Sequence, residues 1–351
     1  MNRFQTKHAR KSRRAGFRAH AALSGIAVSL LATLLGCGED KSSATEPSAT
    51  VEEDSPWPVI EGPPLRMAAS DDAVHAPLDA TPSPDGERVY YIALSQTEAG
   101  DHVAGVFSVA EAGAAIETLA LGEPLIAPVG ISVSIDGRQL FVADSGIVGE
   151  AGVGAIMTLP VSGGAAHAVE GTEGFLPRGV VVAEVDEREH LYFTGLDPQS
   201  GKHGLFRVAL TGGEVEVLAS GEPFVDPAGV TVTQSGDAYV IDAFGSGGAA
   251  GVLRVRDGEA ARVVQDIGVG FPAGIASTRD GSTVLVSGLD PRSRRDRVFV
   301  MSTETQEVSV IAGAFDELVG SAGLHRAHQR DVFAWADTQK GSRGAVYTLE
   351  L

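Results

Sequence analysis

The chain has 351 residues, 46 acidic side chains against 27 basic ones, a formal charge of −19 and a single cysteine. Nucleic-acid binding wants basic patches, so the charge argues against that partner. One thiol excludes an intramolecular disulfide framework.

Residues 1–36 carry seven basic side chains, from Arg3 to Arg18, and no acid. A 15-residue apolar run follows at 21–35, AALSGIAVSLLATLL. A basic stretch leading into a short apolar run has the layout of an export signal and is short for a spanning helix. The run ends in Leu34-Leu35-Gly36-Cys37, which resembles a bacterial lipoprotein lipobox. That resemblance implies cleavage before Cys37, acylation of Cys37, and attachment to a membrane through an N-terminal lipid anchor. Gly38 rather than Asp after the cysteine implies, by the same resemblance, the outer membrane of the cell envelope. Once the signal is removed, 20 Lys and Arg face 46 Asp and Glu, a balance of −26. Such a chain is repelled by anionic lipid, so the acyl chains would have to hold it there.

Residues 37–56 comprise the acylated cysteine and a Ser-, Thr- and Glu-rich stretch with almost no large apolar group. They cannot bury enough surface to offset chain entropy and read as a flexible tether.

From 57 to 351 the sequence repeats. Pro77, Pro128, Pro177, Pro227 and Pro272 recur at intervals of 45 to 51 residues, and Ser321 stands where a sixth would fall. Each unit opens with a short apolar run, passes through a turn (Asp85-Gly86, Asp136-Gly137 and Asp280-Gly281 in three copies) and enters a second strand rich in Val, Tyr, Phe and Ile. This pattern reads as a hairpin. A second hairpin follows in each unit, as in 204–221 and 251–268; in GEVEVL, Val215 and Val217 are expected on one face and Glu214 and Glu216 on the other. A period near 50 residues means stacked copies of one small unit. Four strands in each of six units predict an all-β, six-bladed β-propeller; the long, even period argues against a sandwich. The sixth unit holds only three strands before Leu351, and the segment 63–70 is expected to supply the fourth, closing the ring.

The Pro-x-Gly-Ile/Val opening, the Asp-Gly turn and the run Leu140-Phe141-Val142-Ala143-Asp144 resemble the NHL and gluconolactonase-like propeller superfamily, over about residues 63–351. The lactonase branch implies a divalent cation, usually calcium, held in the central channel by Glu, Asn and Asp. The only asparagine here is Asn2, in the signal, so that ligand set cannot be carried over. A site of carboxylates and backbone carbonyls alone stays open.

Ligands of propellers gather where loops enter the innermost strands and leave the second ones. That places His75, Arg178 and Asp226 before or at innermost strands, and Asp144, Asp242 and Asp337 after second strands. Together they would form an acidic channel mouth with basic anchors, suited to a polar ligand or cation. An Asp at a strand end also commonly bonds its own turn. His325 and His328 are expected on opposite faces of a strand, which argues against a two-histidine metal clamp. Two segments, 195–204 and 288–297, share Gly-Leu-Asp-Pro and read as long loops; in the second, Arg292, Arg294 and Arg295 (with Arg297) read either as solvated loop charge or as a docking spot for an anionic group. No HExxH, P-loop or serine elbow is present. The expectation is a non-enzymatic binding module for a protein, glycan or small polar ligand. The alternatives are a divergent metal-dependent lactonase or hydrolase and a structural part of an envelope complex.

Overall fold

The computed structural model describes residues 57–351, apart from 71–73, 97–99, 111–112, 147–152, 244–249, 270–272, 291–294, 313–319 and 340–342. Cys37, the signal and the tether lie outside the described residues. The described residues hold 25 strands and no helix, and no helix among them is long and apolar enough to cross a membrane.

Two short strands come first, β1 (Val59–Glu61) and β2 (Arg66–Ala69). Blade 1 is β3 (Val74–Pro82), β4 (Val89–Gln96), β5 (His102–Val109) and β6 (Glu117–Leu121). Blade 2 is β7 (Pro128–Val133), β8 (Gln139–Asp144), β9 (Ala155–Pro160) and β10 (His167–Ala168). Blade 3 is β11 (Val180–Val185), β12 (Arg188–Leu196), β13 (His203–Ala209) and β14 (Glu216–Ser220). Blade 4 is β15 (Pro227–Val232), β16 (Ala238–Asp242), β17 (Ala250–Arg256) and β18 (Glu259–Ile267). Blade 5 is β19 (Ile275–Ser277), β20 (Thr283–Asp290), β21 (Arg295–Ser302) and β22 (Val308–Ala312). Blade 6 is β23 (Ser321–Arg326), β24 (Val332–Asp337) and β25 (Ala345–Glu350), with β2 antiparallel to β25 as its fourth strand. The innermost strands touch in sequence around the ring, and β23 touches β3 to complete it.

The ring closure expected from 63–70 is therefore present in β2. The structure adds a strand that the repeat did not announce: β1 runs parallel to β22, with Val59 opposite Val310, and makes blade 5 five-stranded. Trp57, just before it, meets Phe299 edge-on with ring centroids 5.1 Å apart. The N-terminal segment thus crosses the outer edges of blades 5 and 6.

Strand periodicity places the core between blades. On β4, Tyr90 and Ile92 pack toward blade 2, whereas Tyr91 and Ala93 pack toward blade 6. On β20, Val284 and Val286 join blade 4 while Leu285 joins blade 6. Both faces of each middle strand are buried, which is why these strands read as continuous apolar runs. Six apolar clusters result, one at each seam between neighbouring blades. A bulge opposite Leu205 and Phe206 shifts the register within β14; Val217 is exposed, while Val215, just before the strand, packs against the seam of blades 2 and 3.

The turns after the inner strands of blades 1, 2 and 5 follow one plan. Ser83 Oγ donates to Asp85 Oδ1, Ser134 Oγ to Asp136 Oδ1 and Thr278 Oγ1 to Asp280 Oδ1, at 2.5 to 2.7 Å. These and neighbouring amide bonds hold all three carboxyls below the usual carboxylate range.

The Pro-x-Gly opening is explained at the axis. A Cβ on Gly130 would lie 2.6 Å from Arg178 O, just before the next inner strand. Gly179 stands closer still to Ala228 O, Gly229 to Ala273 O and Gly274 to Ala322 O. Only glycine lets each inner strand approach its neighbour this closely. The variant Gly229→Ala is expected to lose about 1–3 kcal/mol of stability, because backbone must move to admit the methyl group. A urea titration would show it as a lower midpoint at unchanged slope.

Candidate functional site

The propeller axis has two ends. At the proline face the chain enters the inner strands; at the turn face it leaves them, in blades 1, 2 and 5 through Ser/Thr-x-Asp-Gly turns. The six residues expected at a channel mouth belong to the proline face, and the structure divides them.

Arg178, just before β11, forms an ion pair with Asp226 of blade 4, each side chain about 20% exposed. Burial lowers the Arg178 guanidinium to about 10, opposed by the charge of Asp242. Asp242, fully buried at the end of β16, accepts hydrogen bonds from the Val225 and Asp226 amides at 3.1 and 2.7 Å and meets Arg262 Nη2 at 3.3 Å. Those four side chains are one network. Asp144 accepts from the amides of Ile126, Ala127 and Gly146 at 2.7 to 2.9 Å. Asp337, buried at the matching place in blade 6, accepts from the Gln339 amide at 3.0 Å. In blades 3 and 5 the matching place is held by Gly195 and Gly288, and the residues before them, Thr194 and Ser287, donate through their hydroxyls to the next blade's Ala228 and Ala322 carbonyls. His75 sits on β3 and meets His102 edge-on, with centroids 5.5 Å apart. The strand-end aspartates thus clamp loops to blades, the structural role that such positions commonly have.

The described mouth residues do not fit a calcium ion. Calcium takes six to eight oxygen ligands; here the oxygens of Asp144 and Asp242 are committed to backbone amides, and two guanidinium groups occupy the same region.

The expected docking loop changes character. Gly288–Asp290 and Arg295–Arg297 pair with each other in β20 and β21, so the strands extend far into the segment that reads as a loop. Likewise β12 and β13 run to Leu196 and from His203, leaving a turn in which Asp197 accepts from Gln199 N and Ser200 Oγ. Pro fixes φ and gives no amide, which explains the loop reading; the ladder stops short of Pro198 and Pro291. Arg297 is 9% exposed. Arg292 and Arg294 lie outside the described residues, and Arg295 is placed only by its backbone, opposite Asp290.

Between the two faces the axis is constricted by Val129, Val230, Ile275, Leu324, Arg178 and His325, around a space of about 10 Å³. That is roughly the room one water needs. Beyond it, at the turn face, opens a funnel of about 470 Å³.

Asp79 and His325 stand where constriction meets funnel. Asp79 occupies the glycine position of the Pro-x-Gly opening in blade 1, and it is 3% exposed. Its Oδ1 accepts from the Ala80 amide at 2.9 Å, and its Oδ2 from the Ile131 amide of blade 2 at 2.8 Å. His325 Nε2, from blade 6, lies 2.9 Å from the same Oδ2. An ionised carboxylate only accepts, so Nε2 carries the proton. The carboxylate packs against Gly323. One side chain therefore ties blades 6, 1 and 2 together.

The funnel wall carries the hydroxyls of Thr81, Ser132, Thr231 and Ser277. Ser132 Oγ accepts from the Val182 amide of blade 3, and Thr231 Oγ1 from the Ser277 amide of blade 5, both at 3.0 Å. Arg326 donates through Nε to Ser277 O at 2.7 Å and through Nη1 to backbone carbonyls of its own turn. His328 Nε2 donates to Val133 O at 2.8 Å, reaching from blade 6 to blade 2. His325 and His328 both line the funnel, contrary to the opposite-face expectation, because β23 ends at Arg326 and the chain turns before His328. Their Nε2 atoms are engaged by Asp79 and Val133, so the pair does not form a clamp through them. Sequence reading missed Asp79 and Arg326. The signal for Asp79 was present: it is the one residue that breaks the glycine rule.

Burial pushes the His328 imidazole below its usual 6.5, assisted by the charges of Arg326 and His325 and opposed by the bond to Val133. Burial and the Arg178 charge lower His203 in the same direction. A histidine held neutral by folding protonates first in the unfolded chain. Its contribution is complete above about pH 6.5 and is lost as pH falls through that value toward the folded pKa. Stability is expected to drop between pH 7.5 and 5.5, above the window in which the turn carboxylates titrate. His328→Gln, which keeps a donor for Val133 O, should make the drop shallower in urea melts at the two pH values.

No protein-family profile matches the chain, and no curated protein does. Solved structures do. A chain of a nidogen–laminin complex is 17% identical, with a TM-score of 0.56, over 74% of this chain and 88% of that one. A putative oxidoreductase (glucose dehydrogenase) from Thermus thermophilus is 15% identical, with a TM-score of 0.56, over 82% and 100%. A gluconolactonase from Xanthomonas campestris is 17% identical, with a TM-score of 0.51, over 82% and 89%. Identities this low carry the architecture alone, and with the six blades in place the chain is a β-propeller of the same general form as these proteins.

Proposed function

We propose that this chain is an exported, lipid-anchored binding module. Cys37 holds it to the membrane, residues 38–56 space it from the bilayer, and the propeller takes a small polar ligand in the axial funnel of its turn face. The observation that carries the reading is the funnel itself: about 470 Å³ of open space walled by hydroxyls and charged groups, in the size range of small-molecule sites. Support for the anchor comes from the basic and apolar leader that ends at the only cysteine.

Cys37→Ser is expected to move the protein from the membrane fraction to the soluble fraction or leave its leader uncleaved, and to abolish acyl labelling. Retention of label would overturn the anchor.

The binding reading is tested by a thermal-shift screen of the full chain against sugars, polyols, dicarboxylates and amino acids. A ligand at 100 times its Kd stabilises by about 2.7 kcal/mol, enough to raise Tm by several degrees. Gln234→Trp, at the exposed funnel rim, should abolish the shift without altering the unliganded melt. Calcium and EDTA should leave the melt unchanged, since the proline-face aspartates already hold amides. A rise with calcium that EDTA reverses would favour the lactonase reading instead.

A further inference from the structure

The charges of the funnel are separated across the axis. In a ring of six, blade 3 faces blade 6. Blade 3 contributes Glu184, on β11, and Asp186, in the following turn. The opposite wall contributes Arg279, in the turn after β19 of blade 5, and Arg326 of blade 6. Glu184, Asp186 and Arg279 are exposed, and none has an ion-pair partner among the described residues.

Arg326 adds a second feature. Burial lowers its pKa, helped by the charge of Arg279 and opposed by Asp331. The nearest carboxylate oxygen, on Asp331, is 3.8 Å from Nε. Its Nε and Nη1 donors go to carbonyls, and Nη2 makes no hydrogen bond to the described protein. A desolvated guanidinium with a spare donor pair, beside a second guanidinium, favours an anionic oxygen ligand. Thr231 and Ser277 spend part of their bonding on each other, at 3.1 Å, in the wall beside Arg326.

We infer that the funnel binds a small zwitterion, an α-amino acid or a short peptide. Its carboxylate lies toward Arg326 and Arg279, and its ammonium group lies toward Glu184 and Asp186. This inference rests on the funnel being the binding site proposed above. A neutral sugar would leave both charged walls unmatched, and a dianion would meet the acidic one. Among the described residues the funnel lining holds no Trp, Tyr or Phe to give a sugar ring a stacking face.

The test uses the full chain and four sets of probes: free amino acids and dipeptides, the N-acetylated dipeptides, the C-amidated dipeptides, and neutral mono- and disaccharides. Uncapped dipeptides should raise Tm, and either cap should remove most of the shift. Titration calorimetry should show Glu184→Lys and Arg279→Glu each weakening binding roughly tenfold, the scale of one charge-assisted bond. The double exchange should recover part of the loss, because it inverts the dipole and the ligand can bind reversed. Both positions are exposed, and Glu184→Gln and Arg279→Gln serve where a charge reversal disturbs folding. Equal shifts from capped and uncapped dipeptides would overturn the inference. A shift from saccharides alone, abolished by Gln234→Trp, would overturn it while leaving the funnel as the site. No shift from any probe, with Gln234→Trp also silent, would overturn both.

Discussion

The propeller depends on how closely its six inner strands approach at the axis. From blade 2 to blade 6, each of the four steps around the ring presses a glycine against a main-chain carbonyl of the next blade. A side chain there would push blades apart, and the apolar seams farther out would open with them. Crowding also brings each inner strand within reach of its neighbour's polar groups. Ser132, Thr231, Thr194 and Ser287 each bond backbone of the next blade. Buried backbone groups that the sheets leave without partners near the axis are thereby satisfied, which matters because each one left unmade costs about 1–3 kcal/mol.

One seam cannot follow this rule unaided. Blades 6 and 1 carry the last and first inner strands of the ring, and there the structure fastens the seam twice. Outside, β2 pairs with β25 before the chain continues into β3. At the axis, Asp79 replaces glycine and binds His325 on one side and the Ile131 amide on the other. The carboxylate fits because its partner in blade 6, Gly323, has no side chain to displace it. An aspartate is thus tolerated at a crowded, buried point because both of its oxygens are spent on donors.

Much of this fold was legible in the sequence because it is written six times. Period, hairpins, Asp-Gly turns and the missing sixth-blade strand all follow from local rules applied to repeated text. The strand β1 was not legible: three residues without an alternating pattern gain their place only by pairing with β22. The loop reading of 288–297 misled because Pro291 and the arginines look like loop chemistry, while Leu289 and Arg297 are held in the ladder. The site was legible only in part. Arg178, Asp226 and Asp242 do converge, yet the carboxylates of Asp242 and Asp144 are consumed by loop amides, and residue type alone does not show whether an oxygen is already taken. The funnel residues come from turns of different blades, and their proximity is a product of ring geometry rather than of spacing along the chain.

The two faces therefore divide the work. On the proline face, the aspartates that hold the loops also fix the blade ends, so changing Asp144 or Asp242 leaves loop amides, most of them partly buried, without those acceptors and costs stability. On the turn face, Glu184, Asp186 and Arg279 are exposed and without ion-pair partners among the described residues, while the bonds beneath them join the blades through Ser132, Thr231 and Ser277. Charge there can change without disturbing the axis. A ligand that read the charges of Glu184, Asp186 and Arg279 would be discriminated by side chains that can change while the constriction beneath keeps the blades packed.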